Sequence, residues 1–308
     1  MSASYNPDGV DGYPDVAVGR VPAANAQDII RYVNKIITYE RWASMPGGNT
    51  ATFLIDKDYS GADSFAGQIE APLLPTTTID GHIGLSYGPG DLIPYPFRRG
   101  DAVSVANEVN RAGWLFYVGH GWVKGWGGGG FDYQQAQQLN NRRNYPIVFT
   151  IGCDTGQFTP NLSYSAVATR PSVYAGGSSF ASDWLFNANQ AGAIAYFGET
   201  LVMENYAGSK LATYLTAEIK SGGRILGDVW RNAQVNYWTN EDRQDDLNAP
   251  RIYLGVMTFF GDPSLRLRPG PVDKHDYNHD GQSDLLFHNQ DTGEIQAWFM
   301  YEIGRAHV

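Results

Sequence analysis

Apolar and polar positions along this chain alternate between two periods. Short runs at Asp15–Val21, Ala51–Ile55, Trp114–Val118, Pro146–Ile151 and Gly192–Phe197 are rich in apolar, β-branched and aromatic residues and predict strands. Between them, Asn25–Ala43 carries Ile29, Ile30, Val33, Ile36, Ile37 and Tyr39 at helical spacing, and Ala102–Ala112, Tyr133–Asn140, 207–220 and 225–238 repeat that period. Residues 60–100 are rich in Gly, Pro, Ser and Thr, with room for a short helix and a strand, and Thr258–Leu267 closes the unit. Strand patterns that alternate with helices predict an α/β fold with a mostly parallel central sheet flanked by helices. At Pro269-Gly270-Pro271 the pattern breaks, which divides the chain into a domain over residues 1–270 and a short β-rich tail over 271–308.

Two of the strand runs end on reactive side chains. Trp114-Leu-Phe-Tyr-Val leads into Gly119-His120-Gly121, and Ile147-Val-Phe-Thr-Ile leads into Gly152-Cys153. Ligands of open parallel sheets collect beyond the carboxyl ends of the strands, so a thiol and an imidazole delivered there suggest a nucleophilic site. A nearby imidazole raises the thiolate fraction of a cysteine, and the same ring can then protonate a leaving amine. The glycines beside His120 let a substrate backbone approach, and the N–H groups of Gly121 and Cys153 are natural donors to an oxyanion. His82, in the turn-like context Ile79-Asp-Gly-His-Ile, is the other histidine of the main domain and reads as structural.

Composition narrows the classes. A net charge of −10 and a pI near 5.0 leave no basic stripe for nucleic acid, and no segment reaches the length of a membrane span. One cysteine excludes an internal disulfide. The first residues lack the charged and apolar regions of a signal peptide.

The ordered set Tyr117-Val-Gly-His120-Gly121, Phe149-Thr-Ile-Gly-Cys153-Asp-Thr-Gly-Gln-Phe158 and Phe260-Gly-Asp-Pro-Ser-Leu265 resembles the gingipain-type cysteine peptidases, family C25 of clan CD. Asp15-Val-Ala-Val-Gly-Arg20-Val-Pro22, Lys35-Ile-Ile-Thr-Tyr39-Glu40, Gly192-Ala-Ile-Ala and Leu226-Gly-Asp add to the resemblance, which covers about residues 12–268. It implies a caspase-like fold, endopeptidase chemistry through a thioester acyl-enzyme, protein or peptide substrates, and an extracellular or cell-surface location in bacteria. Cys153 would be the nucleophile, His120 the general base and acid, and Gly121 and Cys153 the oxyanion donors. No motif places the family's third, orienting acid; Asp80, Asp91 and Glu70 lie in the right region. Relatives cleave after Arg or Lys, for which Asp154 or Asp183 would supply the charge and Trp122, Trp126 and Trp184 the pocket walls. The same dyad would serve a sortase-like transpeptidase, and a non-catalytic surface-binding module could keep the fold.

In the tail, Asp276, Asn278, Asp280 and Asp284 stand at positions 1, 3, 5 and 9 of a loop with Gly281 at position 6. Oxygen donors at that spacing suit Ca²⁺. Phe287 replaces the Glu of an EF-hand, and the stretch resembles one unit of an FG-GAP or VCBS repeat. His275, His279 and His288 do not complete a zinc site. One repeat cannot bury a core alone, so the chain is expected to be truncated at its C-terminus, and the missing leader suggests truncation at the N-terminus too.

Overall fold

The computed structural model describes residues 14–41, 50–74, 77–127, 130–142, 144–158, 179–203, 205–241 and 249–267, together with tail strands at 285–288, 295–301 and 305–307. Its centre is a seven-stranded sheet. In chain order the strands are β1 (Thr50–Asp56), β2 (Thr78–Leu85), β3 (Arg98–Arg99), β4 (Trp114–Val118), the hairpin strands β5 (Gly121–Trp122) and β6 (Gly125–Trp126), β7 (Ile147–Ile151), β8 (Ala195–Glu199) and β9 (Met257–Phe260). Within the large sheet the order is β3-β2-β1-β4-β7-β8-β9, every pair parallel except β8 with β9. The helices are α1 (Ala26–Arg41), α2 (Ala62–Glu70), α3 (Ala102–Val109), α4 (Tyr133–Gln138), α5 (Phe180–Leu185), α6 (Asn205–Lys220), α7 (Leu226–Glu241) and α8 (Ala249–Val256). This is the expected α/β architecture. The run Trp114–Val118, and Ile147–Ile151 apart from Thr150, whose hydroxyl takes the Trp126 Nε1–H at 3.2 Å, are apolar because each is buried on both faces.

The register is set by rings. Phe53, Phe116, Phe149, Phe197 and Phe259 are direct partners across β1, β4, β7, β8 and β9. Their centroids lie 5.1, 6.2, 5.3 and 4.7 Å apart in that order. His82 extends the row onto Phe53 at 5.8 Å, with its Nε2 2.7 Å from Glu70 Oε2. Each pair favours one alignment, since a slip by one residue would turn every ring to the opposite face. The last pair of β4 with β7 is Val118↔Ile151, so His120 and Cys153 each follow by two residues at the same sheet edge. The opposite face packs Tyr117, Trp126, Phe131, Phe180 and Trp184.

Helix α1 is turned over relative to its sequence. The apolar positions Ile29, Ile30, Val33 and Ile37 are 40–51 % exposed, whereas Asp28, Tyr32, Lys35 and Tyr39 face inward. Specific bonds hold it this way. Tyr32 donates to the Ile194 carbonyl at 2.9 Å, and Lys35 Nζ donates to the carbonyls of Trp184, Leu185, Ala191 and Ala193 at 3.3, 2.8, 3.0 and 2.6 Å.

Other expectations change in detail. Asp15–Val21 is not a regular strand; it joins β9 through a single bridge between Arg20 and Phe260. The Phe180–Leu185 and Ala249–Val256 helices have no counterpart in the expected pattern, and α3 and α4 end at Val109 and Gln138. Strands β10 (Leu285–His288), β11 (Ile295–Tyr301) and β12 (Arg305–His307) form an antiparallel sheet of their own in the tail. The acidic loop carrying Asp276, Asn278, Asp280 and Asp284 lies outside the described residues. Among the described residues, no helix is long and apolar enough to cross a membrane.

Candidate active site

The carboxyl ends of β4 and β7 are joined by close backbone packing. Gly119 N–H extends the ladder to Ile151 O at 3.1 Å. Beyond it, a Cβ on Gly121 would sit 2.6 Å from the Gly152 carbonyl carbon and 2.7 Å from Cys153 O, closer than real side chains come. Only glycine lets the His120 loop lie against the Cys153 turn in this way. The loop itself hangs on Tyr117, whose hydroxyl donates to His120 O at 2.6 Å and accepts from Gly127 N–H at 3.2 Å. Gly127 N–H also bonds His120 O, which fixes the hairpin phase and directs the Gly121 N–H away from its hairpin partner. The His120 ring is exposed and meets the edge of Tyr59 at 5.2 Å between centroids.

Cys153 is half-buried, with Sγ 3.7 Å from the Met203 carbonyl. No backbone acceptor among the described residues takes its N–H. Burial pushes the thiol pKa up, the Met203 bond works against that, and the charges of Glu199 and Asp154 add to the rise. Alkylation of Cys153 by neutral iodoacetamide should therefore quicken with pH around a midpoint above the ~8.5 of a free thiol. A midpoint well below that value, read from a rate-against-pH series, would contradict this electrostatic picture.

Two buried acids flank the pair, and nothing in the sequence marked either. Asp56 ends β1, one position past the Ile55↔Val118 pairing, and is 1 % exposed. Its Oδ2 is buried without a hydrogen-bond partner and lies 2.9 Å from where a Cβ on Gly127 would stand, while His120 Cβ is 2.5 Å from the same point. Glu199 ends β8, accepts from the Tyr253 hydroxyl at 3.0 Å and leaves Oε2 buried without a partner. Burial holds its pKa well above the carboxylate range, partly opposed by the Tyr253 bond. Its main-chain carbonyl takes the Gly156 N–H at 2.8 Å, which pins the turn after Cys153.

The acids considered from sequence are engaged elsewhere. Asp80 pairs with Arg111 at 2.8 Å, Asp91 with Lys57 at 2.7 Å, and Glu70 with His82. Trp184 and Trp126 are fully buried core rings, not walls of a substrate pocket. Asp183 is nearly buried and engaged: it accepts from Gln137 Nε2 at 2.8 Å, faces Lys124 at 3.7 Å, and lines a recess with Asp28 and Ser182. Trp122 stays half-buried at the rim beside Gly121, and Asp154 follows Cys153 at a left-handed φ of 61°. Their signal was missed or misread because burial on a given strand face depends on pairing, which the sequence does not state.

The model of Peptidase family C25 matches residues 3–268. Among solved structures, gingipain R, an Arg-specific cysteine proteinase, matches with a TM-score of 0.64 at 18 % identity, over 84 % of this chain and 57 % of that one. The complex of pro- and mature domains of Porphyromonas gingivalis RgpB gives the same score and identity over 84 % and 58 %. A structure described as a protease matches with a TM-score of 0.61 at 13 % identity over 94 % and 64 %. The chain thus spans less than two thirds of the length of each of these relatives. No curated protein sequence matches it.

Proposed function

The chain belongs to Peptidase family C25, and on that premise we propose that it is a cysteine endopeptidase working through Cys153 and His120. The observation that carries this reading is the shared strand-end register. One ladder delivers thiol and imidazole to the same edge, with the His120 loop packed on the Cys153 turn through Gly121. The Cys153 sulfur gives its proton to His120 and attacks the scissile carbonyl. The N–H groups of Gly121 and Cys153 stabilise the oxyanion. Collapse forms the thioester while His120 protonates the departing amine, and a water deprotonated by the same ring then releases the acid. Reaction of the intact protein with an Arg- or Lys-directed chloromethylketone, read by intact mass, should give a single adduct on Cys153 that is lost in His120→Ala. Absence of labelling by basic and broad probes alike would sink the reading. A labelled amine added during turnover separates hydrolysis from transfer.

Asp56 is the group proposed to orient His120, on the strength of its buried, unpartnered Oδ2 beside the His120 Cβ. Asp56→Asn keeps the shape and removes the charge. Loss of an orienting carboxylate in such sites costs about 10²- to 10⁴-fold in kcat, and a fall of that size with little change in KM is expected here. A kcat within a factor of three of the parent would remove Asp56 from the mechanism.

Preference for Arg or Lys before the scissile bond is proposed from the likeness to gingipain R, with Asp154 the acid that stays beside the nucleophile. Calcium in the 276–284 loop rests on donor chemistry alone. Tb³⁺ luminescence should appear on titration and vanish in Asp280→Ala; equal signals would refute the site. An extracellular or surface location is proposed from the family.

A further inference from the structure

We propose that the slot between β9 and residues 14–18 binds an extended, apolar peptide segment bearing a carboxylate, and so extends the substrate cleft away from Cys153. The proposal takes from the peptidase reading only that the ligand is a peptide.

The slot comes from a strand that pairs at one end only. Arg20 N–H reaches Phe259 O and Gly261 N–H reaches Arg20 O, both at 2.9 Å. Thr200 N–H takes the Val256 carbonyl on the β8 side, so alternation turns the backbone groups of Met257 and Phe259 to the outer edge. Among the described residues, nevertheless, no backbone carbonyl takes the Phe259 N–H and no backbone N–H reaches the Met257 carbonyl. The two segments part there and border an open cleft of about 410 Å³. That volume falls within the ~300–1,000 Å³ usual for ligand sites. An extended peptide is the ligand that unpaired strand-edge groups recognise, through main-chain bonds with side chains in flanking pockets.

The walls specify the rest. Val16 and Val18, each 66 % exposed, line the slot together with Met257 and Leu254, an apolar lining open to solvent. The Arg20 guanidinium stands 4.4 Å over the Phe158 ring and also lines the cavity, a cation set where an acidic side chain or terminal carboxylate would meet it. The slot borders the segment that follows Cys153. Gln157, Phe158 and Thr200 form one wall, on the turn after Cys153 and at the end of β8. A peptide lying in the slot would therefore abut the segment four to five residues past Cys153.

The test uses the full chain carrying Cys153→Ala, with anisotropy of two dye-labelled peptides. One is a hexapeptide of Val and Leu with a single Asp; the other is a dipeptide. The parent should favour the hexapeptide, and Val18→Glu or Arg20→Ala should cut the ratio of the two affinities at least tenfold, with Asp→Asn in the peptide matching Arg20→Ala. Val18 is exposed and Arg20 pairs through its main chain, so both variants should fold, which a melting curve verifies. An unchanged ratio, or no hexapeptide binding by the parent, overturns the slot. Failure of the peptidase reading shows separately, as absence of labelling or turnover in the Cys153-intact protein.

Discussion

Cys153→Ala and His120→Ala are each expected to lower peptide hydrolysis by at least about 10³-fold, and the double variant to be little worse than either alone. Non-additivity follows from the chemistry, because without the sulfur the imidazole has no proton to accept, and without the imidazole the raised thiol pKa leaves little thiolate. The effect should fall on turnover, not on folding. His120 is exposed, and Cys153 sits on a turn beyond the last ladder pair, outside the aromatic row that fixes the sheet. Unchanged melting temperatures together with lost turnover are thus the expected pair of measurements. Rates within tenfold of the parent for either single variant would show that another group attacks the substrate.

The second large effect is on stability. Lys35 is fully buried, and its ammonium ties α1 to four carbonyls around the start of β8. Lys35→Ala would leave those acceptors dry and unpaired and open a cavity beside Tyr145, whose ring lies 5.4 Å from the nitrogen. Deleting a buried side chain and its bonds costs about 3 kcal/mol or more, a drop of roughly 6–12 °C for a domain of this size. The lysine also leaves a pH signature. Burial pulls its pKa from 10.5 down to about 7. From about pH 7 up to the unfolded value, the unfolded chain binds the extra proton, so stability rises with pH across that window and is lower, and flat, below it. Lys35→Met should abolish the rise, because no group is left to titrate. Parallel denaturation curves for the two proteins between pH 7 and 10 would contradict this account.

Much of this was legible beforehand. The apolar runs gave the strands, since a strand covered on both faces must be apolar along its length. Glycine next to a strand-end His or Cys marked two residues that the register does bring to one sheet edge. Helix α1 shows where that logic stops. Its isoleucines had the right spacing for a core face, yet a polar edge of the sheet needed Tyr32 and Lys35 instead, and hydrogen bonds to specific carbonyls outweighed the general preference for apolar burial. Asp183 and Trp184 misled for a related reason: an acid and a ring near a site in sequence carry no statement of which face they share with it.

The sequence by itself determined the α/β order, the strand ends that carry His120 and Cys153, and the family, because each rests on local period or on a linear motif. Only the tertiary structure decided which residues meet them. Parallel neighbours are distant in the chain, so the register that levels Val118 with Ile151, the placing of Asp56 and Glu199 at their strand ends, and the opening of β9 toward Val18 all depend on which strands lie side by side. That pairing is settled by the aromatic row and the Lys35 cage, through contacts that no local pattern contains.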